Sequence, residues 1–315
     1  MTIRRALSEG IQQLTSAQVP SASLAAELLL LHILGRDRTF LYAHPEADLT
    51  LEQERAYLHL LTRRAAGQPT QYLTRRQEFW GLALRVEPGV FIPRPETEHV
   101  VEVALEIVRE RLGKPAARIV DVGTGTGCIA LALASELPQA EILATDISDE
   151  ALTLARANAE ALGLTGRIRL VKSDLLDAFL SHHGSPAADF DTRSFDLVVS
   201  NPPYISPEEA GRLPREVREH EPAAALFSPD DGLEITRRLI EQAAVLLSGA
   251  DKGGPVRRLV PSSVEGSLGE GGWIVLELGY NMSGRVRALL GEGWTQVETT
   301  DDLRGIPRVL AAQKA

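Results

Sequence analysis

From residue 117 onward the chain alternates short apolar runs with amphipathic stretches, and this alternation constrains the fold more than any other feature. Residues 117–122 (ARIVDV), 141–146 (EILATD), 168–174 (IRLVKSD), 195–201 (FDLVVSN) and 273–279 (WIVLELG) read as strands. Between the first three lie 128–137 (CIALALASEL) and 148–163 (SDEALTLARANAEALG), which read as helices, the second capped by Ser148. Apolar strands separated by helices imply a largely parallel sheet covered on both faces, an α/β fold. Residues 294–299 and 307–312 are close enough to close that sheet with an antiparallel hairpin at its edge.

The first part of the chain has a different period. Leu24, Leu28, Leu31 and Leu34 follow helical spacing, with Ser21 or Ser23 as a cap and Gly35 as the stop. From Thr50 to Ala66, Leu51, Tyr57, Leu58 and Leu61 are expected on one side of a second helix, ended by Gly67 and Pro69. Residues 77–95 alternate apolar and polar side chains around Pro88-Gly89, a hairpin signal. The expected organisation is a small helical bundle over 1–76, a β-hairpin linker over 77–95 and the α/β domain over 96–315. Two stretches rich in Gly, Pro and Ser, 181–194 and 249–271, read as surface insertions. His182 and His183 in the first have no acidic or cysteine neighbour at ligand spacing, so no metal site is expected.

Composition excludes several classes. The single cysteine, Cys128, permits neither an intrachain disulfide nor a cysteine-based zinc site. No segment reaches the ~20 apolar residues of a membrane helix. The first residues lack the apolar stretch of a secretory signal, so a cytoplasmic location and no membrane partner are expected. The net charge is −10. It is uneven: residues 1–80 hold 9 basic and 8 acidic residues, net +1, and the remaining 235 hold 24 and 35, net −11. A chain that grips duplex DNA by its phosphates usually shows a basic footprint; none shows overall, and the uneven charge leaves room for a small basic patch on the first part.

Three motifs carry chemistry. The first is Gly123-Thr124-Gly125-Thr126-Gly127, between a strand and a helix. Glycines let the chain turn sharply and let a ligand approach the main chain, and the helix start offers free N–H groups. A dinucleotide loop wants G-x-G-x-x-G/A, which would put its third small residue on Cys128; the spacing here is G-x-G-x-G. The second is Asp146, ending the next strand 23 residues after Gly123, where a carboxylate can take both hydroxyls of a ribose. Asp174 repeats that position at the end of the third strand, as an acceptor for an adenine amino group. The third is Asn201-Pro202-Pro203-Tyr204. The prolines stiffen the segment and leave its carbonyls as acceptors, Asn201 adds an acceptor oxygen, and Tyr204 adds a flat face. Such a segment suits a planar group bearing NH₂, whose nitrogen is a poor nucleophile and gains most from being positioned.

The glycine loop resembles the first motif of class I S-adenosylmethionine-dependent methyltransferases, and with NPPY the chain resembles those acting on amino groups of adenine, cytosine or glutamine. Phe79-Trp80-Gly81, Phe91-Ile92-Pro93-Arg94-Pro95-Glu96-Thr97-Glu98, Glu221-Pro222, Asp231-Gly232-Leu233-Glu234 and Asp302-Leu303-Arg304-Gly305 with Arg308-Val309 narrow this. Together they resemble the release factor glutamine methyltransferase family (PrmC/HemK) over almost the whole length. The resemblance implies a seven-stranded, mostly parallel Rossmann-like domain behind a substrate-binding helical bundle. It implies methyl transfer from S-adenosyl-L-methionine, leaving S-adenosyl-L-homocysteine, to the side-chain amide nitrogen of the glutamine in the Gly-Gly-Gln motif of bacterial class-1 release factors.

By that resemblance Asn201, Pro202 and Tyr204 are catalytic, and Asn201, Pro202, Pro203 and Tyr204 hold the glutamine amide. Gly123, Thr124, Gly125, Thr126, Gly127, Asp146, Asp174, Leu175 and Asn201 hold the cofactor. Leu175 stands where relatives often have an aromatic residue to stack on adenine. The partner is the release factor, with no direct nucleic acid, and the chain is expected as a monomer. A glutamine of a large-subunit ribosomal protein and an adenine of nucleic acid are the alternative substrates, and a non-catalytic cofactor-binding scaffold the alternative class. Arg94 and Glu96 either line the pocket or form a rigid hinge with an ion pair. Cys128 reads as a packing residue, and His99, before a helix, has no evident catalytic partner.

Overall fold

A computed structural model describes residues 1–180, 195–247 and 271–315. The insertion at 181–194, with His182 and His183, and all but the last residue of the one at 249–271 lie outside these residues. The chain divides into two compact units. One comprises Met1–Gln77, Arg85–Ile92 and Gly211–Pro222; the other comprises Glu78–Leu84, Pro93–Ala210 and Ala223–Ala315.

The first unit is built from α1 (Ile3–Ser16), α2 (Ala22–Leu34), α3 (Arg38–Ala43), α4 (Leu51–Ala65) and α5 (Thr70–Thr74). Thr50 caps α4 through a reciprocal bond with Gln53, each satisfying a backbone N–H that the helix start leaves free. Ser21 stands at the N-cap of α2 in a left-handed conformation and its side chain caps nothing, whereas Gly35 ends the helix as expected. The buried face of α2 is Ala25, Ala26, Leu29 and Leu30, while Leu24 and Leu28 are exposed. That helix is apolar almost all round, so spacing alone selects several stripes. The small alanines mark the one that packs closely. In α4, Tyr57, Leu60, Leu61 and Arg64 are buried, and Leu51 and Leu58 face solvent. The buried Arg64 pairs with Glu216 and donates to the Gln68 carbonyl.

Strands β1 (Arg76–Phe79) and β2 (Leu82–Arg85) form the hairpin, but its turn is Trp80-Gly81 and not Pro88-Gly89. Trp80 and Gly81 both have positive φ, which a two-residue hairpin turn requires and proline cannot adopt. Pro88 and Gly89 make a separate turn closed by the Val90 N–H on the Glu87 carbonyl.

The second unit holds a seven-stranded sheet: β3 (Arg118–Val122), β4 (Glu141–Asp146), β5 (Ile168–Lys172), β6 (Leu197–Ser200), β7 (Trp273–Glu277), β8 (Trp294–Asp301) and β9 (Pro307–Lys314). Their order is β5-β4-β3-β6-β7-β9-β8, parallel from β5 to β7 and antiparallel in the β7-β9-β8 pairs. Helices α6 (Glu98–Glu106), α7 (Cys128–Glu136) and α8 (Asp149–Ala161) accompany it. β3, β6 and β7 are buried along nearly their whole length, which is why they read as unbroken apolar runs. The chain runs outward from β3 through β4 to β5, then returns to β6 on the other side of β3. That reversal is where open parallel sheets place ligands, beyond the carboxyl ends of the strands.

Candidate active site

Strand register alone brings the motifs together. Val122 pairs with Thr145 on one side and Ser200 on the other, and Ser200 pairs with Leu276. One residue further on, Gly123, Asp146, Asn201 and Glu277 therefore stand along one edge of the sheet. The Ser200 hydroxyl donates to the Val122 carbonyl at 2.7 Å and ties the two central strand ends together.

The glycine loop turns its side chains inward and its backbone outward. Thr124 and Thr126 are buried, whereas Gly123 is exposed. Gly123, Gly125 and Gly127 all have left-handed φ, at +73°, +56° and +84°, which glycine adopts without strain. The N–H groups of Gly123 and Thr124 both reach the Thr145 carbonyl at 2.9 Å, and the Thr126 carbonyl accepts from Asn158 on α8 at 2.9 Å. Beneath the loop Asp121 is fully buried, accepting from the Thr124 hydroxyl at 2.6 Å and the Ala130 N–H at 3.2 Å. Burial pushes its pKa up to about 7.

Asp146 does not cap the next helix. Ser148 does, accepting from the Ala151 N–H, as expected. The Asp146 carboxylate instead accepts from the Gly125 and Ser148 N–H groups, one per oxygen, both at 2.9 Å. Burial raises its pKa while these bonds oppose the shift. A carboxylate has about four acceptor sites, so the group braces the loop and can still accept from a diol. Asp174 accepts from Arg238 at 2.8 Å through one oxygen. Leu175 is half-buried with φ +49°, strained for a branched side chain.

Asn201 begins the acceptor segment and donates through Nδ2 to the Thr97 hydroxyl oxygen at 3.2 Å. The Tyr204 ring lies on Gly279, where an added Cβ would fall 2.7 Å from its Cδ2 and 2.7 Å from the Met282 sulfur. Gly232 lies against the Tyr204 carbonyl, 2.7 Å from where its Cβ would be, and has φ +83°. Burial, then the nearby Glu277, raise the Tyr204 hydroxyl pKa, so it stays protonated. Arg94 and Glu96 act electrostatically on both Tyr204 and Glu277, which places them beside this segment. His99 lies inside α6 rather than before it, paired with Glu102 at 2.8 Å. Cys128 opens α7, buried, its thiol pushed up to about 12 by desolvation, consistent with packing.

Two residues at this edge, Glu277 and Gly279, escaped sequence reasoning, while Thr97 and Gly232 stand in the motifs that carry the resemblance but have no role assigned from sequence. Glu277 had a signal, being the one charged residue in the buried strand WIVLE. Gly279 had none, because its role depends on what approaches it.

The loop offers a cofactor bare backbone with no side chain in the way. An added Cβ on Gly123 would meet nothing within 4 Å. Together with the start of α7 and the Asp146 acceptors, these residues fit a nucleoside with a charged amino-acid tail. No helix among the described residues is long and apolar enough to cross a membrane.

Comparison with known proteins agrees with this arrangement. The family model "PrmC N-terminal domain" matches residues 5–74, and "Methyltransferase small domain" matches residues 81–213. The hMettl16 catalytic domain in complex with MAT2A 3'UTR hairpin 6 superposes with a TM-score of 0.52 at 20% identity, covering 80% of this chain and 81% of that one, a likeness of fold. The chain is 38% identical to the release factor glutamine methyltransferase of Koribacter versatilis, covering 100% of this chain and 99% of that protein. It is 38% identical to that of Escherichia coli K12, over 96% and 95%. It is 36% identical to that of Deinococcus radiodurans, over 100% and 99%. Near-complete coverage on both sides, at these identities and over both family models, shows that this chain belongs to the release factor glutamine methyltransferase family.

Proposed function

We propose that this chain methylates the side-chain amide nitrogen (N5) of the glutamine in the Gly-Gly-Gln motif of bacterial class-1 peptide chain release factors. The observation that carries this reading is the orientation of Asn201. One N–H of its amide goes to Thr97, which leaves Oδ1, on the other branch of the amide, to act as an acceptor beside a proline segment that supplies carbonyl acceptors. An acceptor pair matches an amide NH₂. S-adenosyl-L-methionine supplies an electrophilic methyl on a sulfonium sulfur and leaves as S-adenosyl-L-homocysteine.

Asn201 Oδ1 and the Pro202 carbonyl take the two N–H groups of the substrate amide. Pro203 keeps the segment rigid and Tyr204 packs beside the amide plane. The nitrogen lone pair is thereby aimed at the methyl instead of being left to chance encounter. As the N–C bond forms and the C–S bond breaks, positive charge develops on nitrogen, and the two acceptors stabilise it until one N–H proton passes to water. The Gly123–Gly127 backbone cradles the methionine portion, with Thr124 and Thr126 as its inward anchors. Asp146 takes the ribose hydroxyls, and Asp174 and Leu175 line the adenine side. The helical bundle of residues 1–76 grips the release factor, residues 77–95 link, and residues 96–315 transfer the methyl. The chain works as a cytoplasmic monomer.

The test is incubation with labelled S-adenosyl-L-methionine and, in parallel, release factor, a Gln→Ala factor in the Gly-Gly-Gln motif, ribosomes and DNA. Label should enter only the unmodified factor. Equal label in the Gln→Ala factor, or label confined to ribosomes or DNA, overturns the reading.

A further inference from the structure

Glu277 is an expensive residue to keep where it stands. It is 5% exposed at the end of the buried strand β7, and its Oε2 has no hydrogen-bond partner. A carboxylate so placed destabilises the fold, and an apolar residue of similar size would serve the sheet better. Its side-chain hydrogen-bond partner is Thr97, itself only 1% exposed, and because an ionised carboxylate can only accept, the proton of that contact is the Thr97 hydroxyl's.

That bond decides which way the next group points. A threonine hydroxyl has one proton. With it committed to Glu277, Thr97 faces Asn201 with lone pairs only, and Asn201 must present Nδ2. The other branch of the amide, Oδ1, then faces away from Thr97. Without this constraint the Asn201 amide could turn over and place a donor where a substrate N–H needs an acceptor.

We propose that Thr97 and Glu277 are positioning residues for methyl transfer, forming a directed relay, Asn201 to Thr97 to Glu277, that locks the Asn201 amide with its oxygen toward the substrate. This rests on the function proposed above for Asn201. The relay has a polarity that depends on Glu277 being ionised. Once protonated, the carboxyl can donate to the Thr97 oxygen, the Thr97 proton turns toward Asn201, and the amide is driven to the unproductive orientation. Burial pushes the Glu277 pKa up to about 7, so this reversal falls near neutrality. The groups that face Glu277 are Glu96, which raises that value, Arg308 on β9 and Arg94, which lower it, and Tyr204 and Cys128, which sense its charge.

The test compares Thr97→Val, which is isosteric but cannot relay, with Thr97→Ser, which can. Thr97→Val should lower kcat about tenfold, the worth of one buried hydrogen bond, with cofactor affinity by calorimetry unchanged. Thr97→Ser should restore kcat, and Glu277→Gln should abolish the fall in wild-type kcat below about pH 7. Wild-type kcat in Thr97→Val, or equal loss in Thr97→Val and Thr97→Ser, overturns the relay. Should Thr97→Val fail to fold, an acid limb persisting unchanged in Glu277→Gln overturns it instead. A second readout needs no substrate: in ¹⁵N-asparagine-labelled protein the Asn201 side-chain resonance, assigned from Asn201→Ala, should move in Thr97→Val and return in Thr97→Ser. Movement without methylation of any release factor would sink the functional reading and keep the relay. No movement sinks the relay alone.

Discussion

Replacing Gly279 by alanine should damage catalysis more than its size suggests. The added methyl would sit 2.7 Å from Tyr204 Cδ2, 3.1 Å from Tyr204 Cε2 and 2.7 Å from the Met282 sulfur. Carbon atoms rest at about 3.5–4.0 Å, so the ring must retreat by roughly 1 Å. It cannot easily carry its backbone with it, because the Tyr204 carbonyl lies against Gly232 and the next residue is held by Leu226 and Ser228. Overpacking of this kind costs about 1–3 kcal/mol of stability. A 1 Å misplacement beside the reacting atoms costs about 10²-fold in rate. The substitution should therefore lower kcat by about two orders of magnitude while the protein stays folded at 25 °C. Gly284→Ala is the control, since its methyl meets nothing within 4 Å and sits in a short helix, where alanine is favoured. Steady-state methyl transfer and thermal unfolding of both variants decide the matter. If kcat of Gly279→Ala stays within about twofold of wild type, Tyr204 does not need its seat and the steric argument fails.

Glu277 should also weaken the fold as pH rises. Its native pKa of about 7 exceeds the ordinary 4.5, so the folded state holds the proton more tightly between those values. Stability is lost across that window as pH increases, by about 3 kcal/mol for this group alone. Urea unfolding should show Glu277→Gln gaining on wild type by that amount between pH 4.5 and 8, and a constant difference would refute the buried charge. Asn201→Ala should reduce turnover about 10²-fold, because it removes an acceptor of developing charge. Normal turnover there removes Asn201 from the mechanism. In Gly127→Ala the new Cβ meets Leu131 at 3.1 Å and Ala155 at 3.2 Å from a φ of +84°. Calorimetry should show cofactor binding weakened about tenfold as the loop backbone shifts, and unchanged affinity would mean that the loop does not carry the cofactor.

The sequence makes the central strands legible because β3, β6 and β7 are buried along nearly their whole length and leave unbroken apolar runs, and WIVLE and LVVS could hardly be anything else. It does not reveal their order, since nothing local in β6 says that it returns to lie beside β3. The linear motifs, glycine loop and NPPY, are visible because each does its work with consecutive residues. The pairing of Thr97 with Glu277 is not, because they stand 180 positions apart, one just before α6 and the other at the end of β7. The misplaced hairpin turn has a similar cause. Pro88-Gly89 is the stronger turn dipeptide by composition, but proline cannot supply the positive φ that Trp80 accepts. In α2 the difficulty was excess: leucines all round the helix hide the alanine face that packs.

Methyl transfer to an amide nitrogen, held by acceptors at Asn201 and Pro202, is the step on which the proposed mechanism stands or falls. Its most direct measurement is mass spectrometry of a release factor treated with this protein and S-adenosyl-L-methionine. The expected result is one added methyl on the peptide carrying Gly-Gly-Gln, located by fragmentation on the glutamine side chain and released as N5-methylglutamine on enzymatic digestion. A methyl on any other residue, or an unmodified Gly-Gly-Gln peptide beside methylated ribosomal protein, would contradict it.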